Sequence, residues 1–133
     1  MSVLTVYLAL ILLGADSACA ESGRNYADGA AVLRVVQNRA ASGWARYDGS
    51  LLDALTKPAQ HAHGCRWPLT WRHVELGFRF AFGRLVVPMF IERAQFYIGD
   101  HDGDLTCADR RAVVVGRIVH TYCAPLRVLA GGT

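Results

Sequence analysis

Glu21 is the residue of this chain best placed by its neighbours for acid–base chemistry. It closes the apolar run from Val3 to Ala20, Ser22-Gly23 follows at once, and a second helical stretch ends in Gln37-Asn38-Arg39. A carboxylate at the C-terminal end of a buried helix is partly desolvated. That raises its pKa and lets it hold a proton near neutral pH, the state a general acid requires. The competing reading is an ordinary exposed glutamate at a helix end. Three other constellations invite chemistry and are set aside. His61-Ala62-His63-Gly64-Cys65 offers nitrogen and sulfur ligands at alternate positions, but nothing signposts a fourth zinc ligand, so no metal is assigned. Asp100-His101-Asp102-Gly103-Asp104 opens like a calcium loop. Leu105 then stands where the turn glycine belongs and Arg111 where the bidentate glutamate belongs, which leaves a solvated acidic turn. Ser22 has no G-x-S-x-G elbow around it and is no nucleophile.

The elements that must position Glu21 follow from pattern and punctuation. A first helix is expected from about Val3 to Glu21, broken by Ser22-Gly23. Asp28 is expected to cap a second, Gly29 to Ala41, with Val32, Val35, Val36 and Arg39 on one face and Gly43 ending it. After an Arg46–Ser50 loop, Ser50 caps a short helix, Leu51–Thr56, stopped before Pro58. Ala59–Pro68 is irregular and His-rich. Thr70 caps a helix from Trp71 to Phe82, with Trp71, Val74, Phe78 and Ala81 expected on its core face and Gly83 at its end. The pattern then changes. Ala94–Ile98 alternates as a short strand does, Gly99–Asp109 is a polar loop, and the β-branched run within Ala112–Cys123 reads as a strand bent at Gly116. Leu126–Thr133 is a loose tail. Helices first and a small antiparallel sheet toward the C-terminus make the expected class α+β.

Bulk properties bound the rest. With 133 residues the chain is expected to form a single domain, and its 53% hydrophobic and 19% charged content excludes disorder. The formal charge is +3, with arginines scattered rather than massed, so nucleic acid is not an expected partner. No stretch reaches the roughly 18 consecutive apolar residues of a spanning helix, so stable membrane insertion is not expected. Residues 1–20 carry two readings. Ala18-Cys19-Ala20 suits signal-peptide cleavage, yet no Lys or Arg precedes Arg24, which favours an uncleaved core helix. Cys19, Cys65, Cys107 and Cys123 contain no C-x-x-C; they suit disulfides in an oxidising compartment, or buried thiols, with the pairing open.

The ordered set Glu21, Gly29, Asn38-Arg39, Pro58-Ala59-Gln60, Ala94-Gln95-Phe96-Tyr97 and Gly116 to Tyr122 (with His120) resembles the cell-wall hydrolases of the spore-cortex-lytic type, within the lysozyme-like superfamily of lytic transglycosylases. The resemblance covers roughly Ala18 to Cys123. Departures are specific: the family's second glutamate is Asn25 here, and His61 replaces the Phe after Gln60. Glu21-Ser22-Gly23 instead matches the wider lytic transglycosylases. The resemblance implies a lysozyme-like fold with a mostly helical N-terminal two-thirds, and cleavage of a β-1,4 bond in peptidoglycan glycan strands. Glu21 would protonate the departing oxygen. A hydrolase needs a second carboxylate, for which Asp28, Asp48 and Asp100 are candidates. A lytic transglycosylase needs only Glu21, which then acts as base, and is preferred. Gln60, Tyr97 and His120 are the candidate substrate-binding residues. The implied protein is a monomer of the cell envelope or extracellular space, with no cofactor and a cleft between the N-terminal helices and the Tyr97 strand. The alternatives are a secreted, disulfide-stapled binding module without catalysis, and a decayed relative that binds glycan without cutting it.

Overall fold

The computed structural model describes residues 2–41, 50–57, 62–66, 68–88, 91–92, 96–99, 109–112 and 120–124. Four helices build it: α1 (Val3–Ser22), α2 (Tyr26–Ala41), α3 (Leu51–Thr56) and α4 (Trp71–Ala81). The Ser2 hydroxyl caps α1 by accepting from the Thr5 N–H, and Gly23 ends it at φ 57°, a left-handed conformation that suits glycine, its N–H donating to the Cys19 carbonyl. Asn25, not Asp28, caps α2: its side-chain oxygen accepts from the Asp28 N–H at 3.1 Å. Asp28 lies within the first turn and is buried. Ser50 caps α3 and Thr70 caps α4, where His73 completes a reciprocal capping pair.

α2 is the centre of the molecule. One side, through Ala30, Leu33, Val36 and Ala40, joins Leu10 and Ala18 of α1, Leu55 of α3 and Phe80 of α4. The other, through Ala31, Val32 and Val35, joins Ile91 and Tyr122. A helix apolar on both sides is buried on both sides, and burial of each large aliphatic chain contributes about 1.5–3 kcal/mol. Polar residues of α2 fasten the last turn of α4 and the chain that follows it: Gln37 donates to the Phe80 carbonyl at 2.9 Å, Arg34 to the Leu85 carbonyl at 2.9 Å and Asn38 to the Glu92 carbonyl at 2.7 Å.

α1 and α4 run antiparallel: Tyr7 stacks on Phe82 at one end, and His73 meets Gly23 at the other. They cross where Gly77 lies against the backbone of Ile11 and Ala15. That contact sets the face of α4. The expected core residues Trp71 and Phe78 are exposed, while His73, Gly77 and Phe80 turn inward. Close backbone approach at glycine outweighs the bulk of the aromatic rings.

The expected α+β, lysozyme-like class is corrected. The described residues are mostly helical. Three short segments, β1 (Phe96–Gly99), β2 (Asp109–Ala112) and β3 (His120–Ala124), pair antiparallel in the order β1-β3-β2. Of the described core, only Tyr122 comes from them. Of the strand expected over Ala112–Cys123, β2 includes Ala112 and β3 includes His120–Cys123, and positions 113–119 lie outside the described residues.

α1 spans 20 residues with a mean hydropathy of 1.9, long and apolar enough by length and composition to cross a bilayer. In the folded chain Leu10, Ile11, Ala15, Ala18 and Cys19 of this helix are buried. Cleavage after Ala20 would remove all of them.

Candidate functional site

Glu21 occupies the last turn of α1 and is half-buried. Its Oε1 accepts a short hydrogen bond, 2.5 Å, from the backbone N–H of Ala62. The segment 62–66 is gripped by α1 at two more points. Cys65 forms a disulfide with Cys19, Cα to Cα 5.4 Å. Asp16 accepts from the N–H groups of Gly64 at 2.8 Å and Cys65 at 3.0 Å. Positions 16, 19 and 21 thus present three side chains of one helix end to one stretch of backbone. The His63 ring closes the arrangement, its Nδ1 3.4 Å from Asp16 and its Nε2 3.1 Å from the Leu55 carbonyl.

A cleft of about 510 Å³ opens beside this junction, lined by Cys19, Ala20, Gly23, Ala62, His63, Gly64 and Arg66. It includes the residue before Glu21 and the residue that holds its carboxyl. Its described walls are the end of α1 and the 62–66 segment. Arg66 is exposed at its rim, and His63 lines it, so the charged or chargeable side chains along the lining are basic.

Asp28 faces elsewhere. It is 3% exposed, its Oδ2 accepts from the Ser22 hydroxyl at 2.6 Å, and its Oδ1 accepts from Tyr122 at 2.8 Å. With both oxygens engaged in a buried network, it ties α1, α2 and β3 together and is not a second carboxylate for the cleft. Asp48 and Asp100 lie outside the described residues, as does Gln60. Tyr97 lies in β1 with its backbone paired to Tyr122, and His120 opens β3 opposite Gly99. Cys65 is committed to Cys19, which removes the thiolate from the His-rich stretch as a metal clip; among the described residues no group of three potential ligands gathers.

The far side of the site is held by α4. His73 is buried; its Nδ1 accepts from the Thr70 N–H at 3.0 Å, so Nε2 carries the proton and donates to the Gly23 carbonyl at 2.7 Å. This ties the start of α4 to the end of α1. Trp71 consequently stands at the Glu21 end of the molecule, 71% exposed, with the Arg72 guanidinium 5.7 Å from its ring centre and 5.4 Å from that of Tyr26.

Asp16 was missed by the sequence reading. The available signal is that it is the sole charged residue among positions 1–20. Burial on its own would raise its pKa; the Cys65 and Gly64 N–H donors, with His63, outweigh that and hold the carboxyl below the ordinary value of 3.8. A depressed folded pKa stabilises the fold above the unfolded value, and the contribution disappears as pH falls through the folded value. The urea midpoint of Asp16→Asn should accordingly lie below that of the parent at neutral pH, with the gap closing as pH drops below 3.8. Identical midpoints across that range would show that the carboxylate contributes nothing.

No family model, no curated protein and no solved structure matches this chain.

Proposed function

We propose that this chain cleaves the β-1,4 bonds of peptidoglycan glycan strands as a lytic transglycosylase, with Glu21 as acid and then base. The observation that carries the reading is the position of Glu21: half-buried at a helix end, fixed by the Ala62 N–H, beside a cleft of about 510 Å³. The ordered motif set around Glu21 supports it from the sequence side.

The mechanism needs a carboxyl group with a defined rotamer. Ala62 donates to Oε1, so in the acid form the proton is carried on Oε2. Oε2 gives that proton to the departing glycosidic oxygen as oxocarbenium-like charge builds on the sugar. The carboxylate left behind removes the proton of a hydroxyl on the same sugar, whose oxygen bonds to the anomeric carbon and closes an anhydro ring. One proton is given and one taken, and Glu21 returns to its starting state. The described lining of the cleft carries no carboxylate of its own, and the neighbouring Asp16 is engaged by the Gly64 and Cys65 N–H groups and by His63, which favours the one-carboxylate route through Glu21 over hydrolysis. Gln60, Tyr97 and His120 remain the proposed sugar contacts on the strength of the motif. Arg66 at the rim and the exposed ring of Trp71 add a cation for an anionic polymer and an apolar face for a pyranose. Such a substrate places the working protein in the cell envelope or outside the cell.

Mass spectrometry of the fragments released from purified wall sacculi tests the reading. Anhydro-ended fragments are the expected products. Reducing ends would replace the transglycosylase with a hydrolase, and the absence of any fragment would leave the binding-module alternative in its place.

A further inference from the structure

The end of the α1/α4 pair opposite Glu21 carries a second feature, unrelated to the cleft. Val3 and Leu4 are 73% and 69% exposed, and Tyr7, Leu8 and Leu12 are exposed as well. On α4 and just beyond it, Phe78 and Phe82 are exposed, and the two helices are joined there by stacked rings: Tyr7 to Phe82 at 4.8 Å and Phe82 to Phe78 at 5.9 Å. A groove of about 420 Å³ lined by Val3, Val6, Tyr7, Leu10, Leu51 and Ala81 continues the surface. An apolar patch of this extent on a small domain marks a contact surface.

We infer that this end docks on the surface of a bilayer containing anionic lipid, with the helix pair lying in the interface rather than crossing it. Two observations choose the occupant. No charged residue occurs in α1 before Asp16, and the helix is long and apolar enough by length and composition to cross a bilayer. Beside the phenylalanines Arg84 is exposed, as is Arg79, which also pairs with Glu75 at 3.3 Å, and both guanidinium groups are complementary to anionic headgroups. Spanning is opposed by the fold. Gly77 packs on the backbone of Ile11 and Ala15, and Cys19 is bonded to Cys65, so the C-terminal half of α1 cannot leave the body intact. The exposed N-terminal half is what lipid can reach. Leu4 and Glu21 are separated along α1 by about 25 Å at 1.5 Å per residue, so docking leaves the cleft facing away from the bilayer.

Flotation of the full, disulfide-intact chain with vesicles tests this independently of any glycan activity. Binding is expected to phosphatidylglycerol-containing vesicles and to fall about tenfold or more with pure phosphatidylcholine or high salt. Leu4→Ser with Leu8→Ser should lower it comparably on either vesicle, and Arg79→Gln with Arg84→Gln only on the anionic one, with helical circular dichroism unchanged in both. Failure of the folded parent to float overturns the inference, as does a concentration-dependent dimer that the leucine variant abolishes in its place. Resistance to alkaline carbonate extraction also overturns it, in favour of a spanning helix.

Discussion

Glu21→Gln is expected to reduce clearing of purified wall sacculi by about a thousandfold, the scale of a general acid–base contribution, without altering the fold. The substitution is nearly isosteric. Its amide oxygen still accepts from the Ala62 N–H, so the 62–66 segment keeps its third attachment to α1 alongside the Cys19–Cys65 bond and the Asp16 contacts. What it loses is the ionisable carboxyl group. Both halves of the proposed cycle need that group, the first as an acid that protonates the leaving oxygen and the second as a carboxylate that accepts the proton of the attacking hydroxyl, so the two steps fail together. Denaturation midpoints measured beside the activity separate chemistry from folding. Equal clearing by parent and variant, with both folded, would remove Glu21 from the mechanism whatever the products are.

The parts of this site that were legible in the sequence are those fixed by local chemistry. An apolar run ended by Glu-Ser-Gly predicts a helix that delivers a carboxylate at its terminus, and α1 ends at Ser22 with Gly23 as its cap. Serine and threonine caps gave the starts of α3 and α4 for the same reason. What was not legible depends on partners remote in the chain. Asp28 looks like a helix cap because only Asn25 and its neighbours are visible locally; its buried role comes from Tyr122, far along the sequence. Cys19 and Cys65 are 46 residues apart, and no spacing rule prefers that pair over the others. The face of α4 was misread because apolar periodicity counts large residues, whereas the contact with α1 is made where there is no side chain at all. The α+β class failed for a related reason: composition after residue 93 favours strands, while the described buried residues come almost wholly from helices.

Gly77→Ala is expected to be the most damaging single-methyl substitution in the described fold. A Cβ there would lie 2.1 Å from the Ile11 carbonyl oxygen, 2.9 Å from the Ile11 carbonyl carbon and 3.2 Å from the Ala15 nitrogen. All three are backbone atoms of a helix, so no rotamer change relieves the clash; α1 and α4 must move apart. Alanine would gain about 1 kcal/mol of helix propensity, but overpacking against rigid backbone costs more, and the net loss is put at about 3 kcal/mol. Gly14→Ala is the control, since its nearest neighbour is the Phe80 ring edge at 3.0 Å, a side chain that can tilt. It should cost distinctly less. Because α1 carries Asp16, Cys19 and Glu21, any separation of the helices also shifts the junction that holds the cleft. The loss of stability in Gly77→Ala should therefore come with loss of clearing at temperatures where the chain is still folded. Urea midpoints that rank the two variants equally, or place Gly77→Ala at the parent value, would mean that α1 and α4 do not meet backbone to backbone, and the geometry that positions Glu21 would have to be rebuilt.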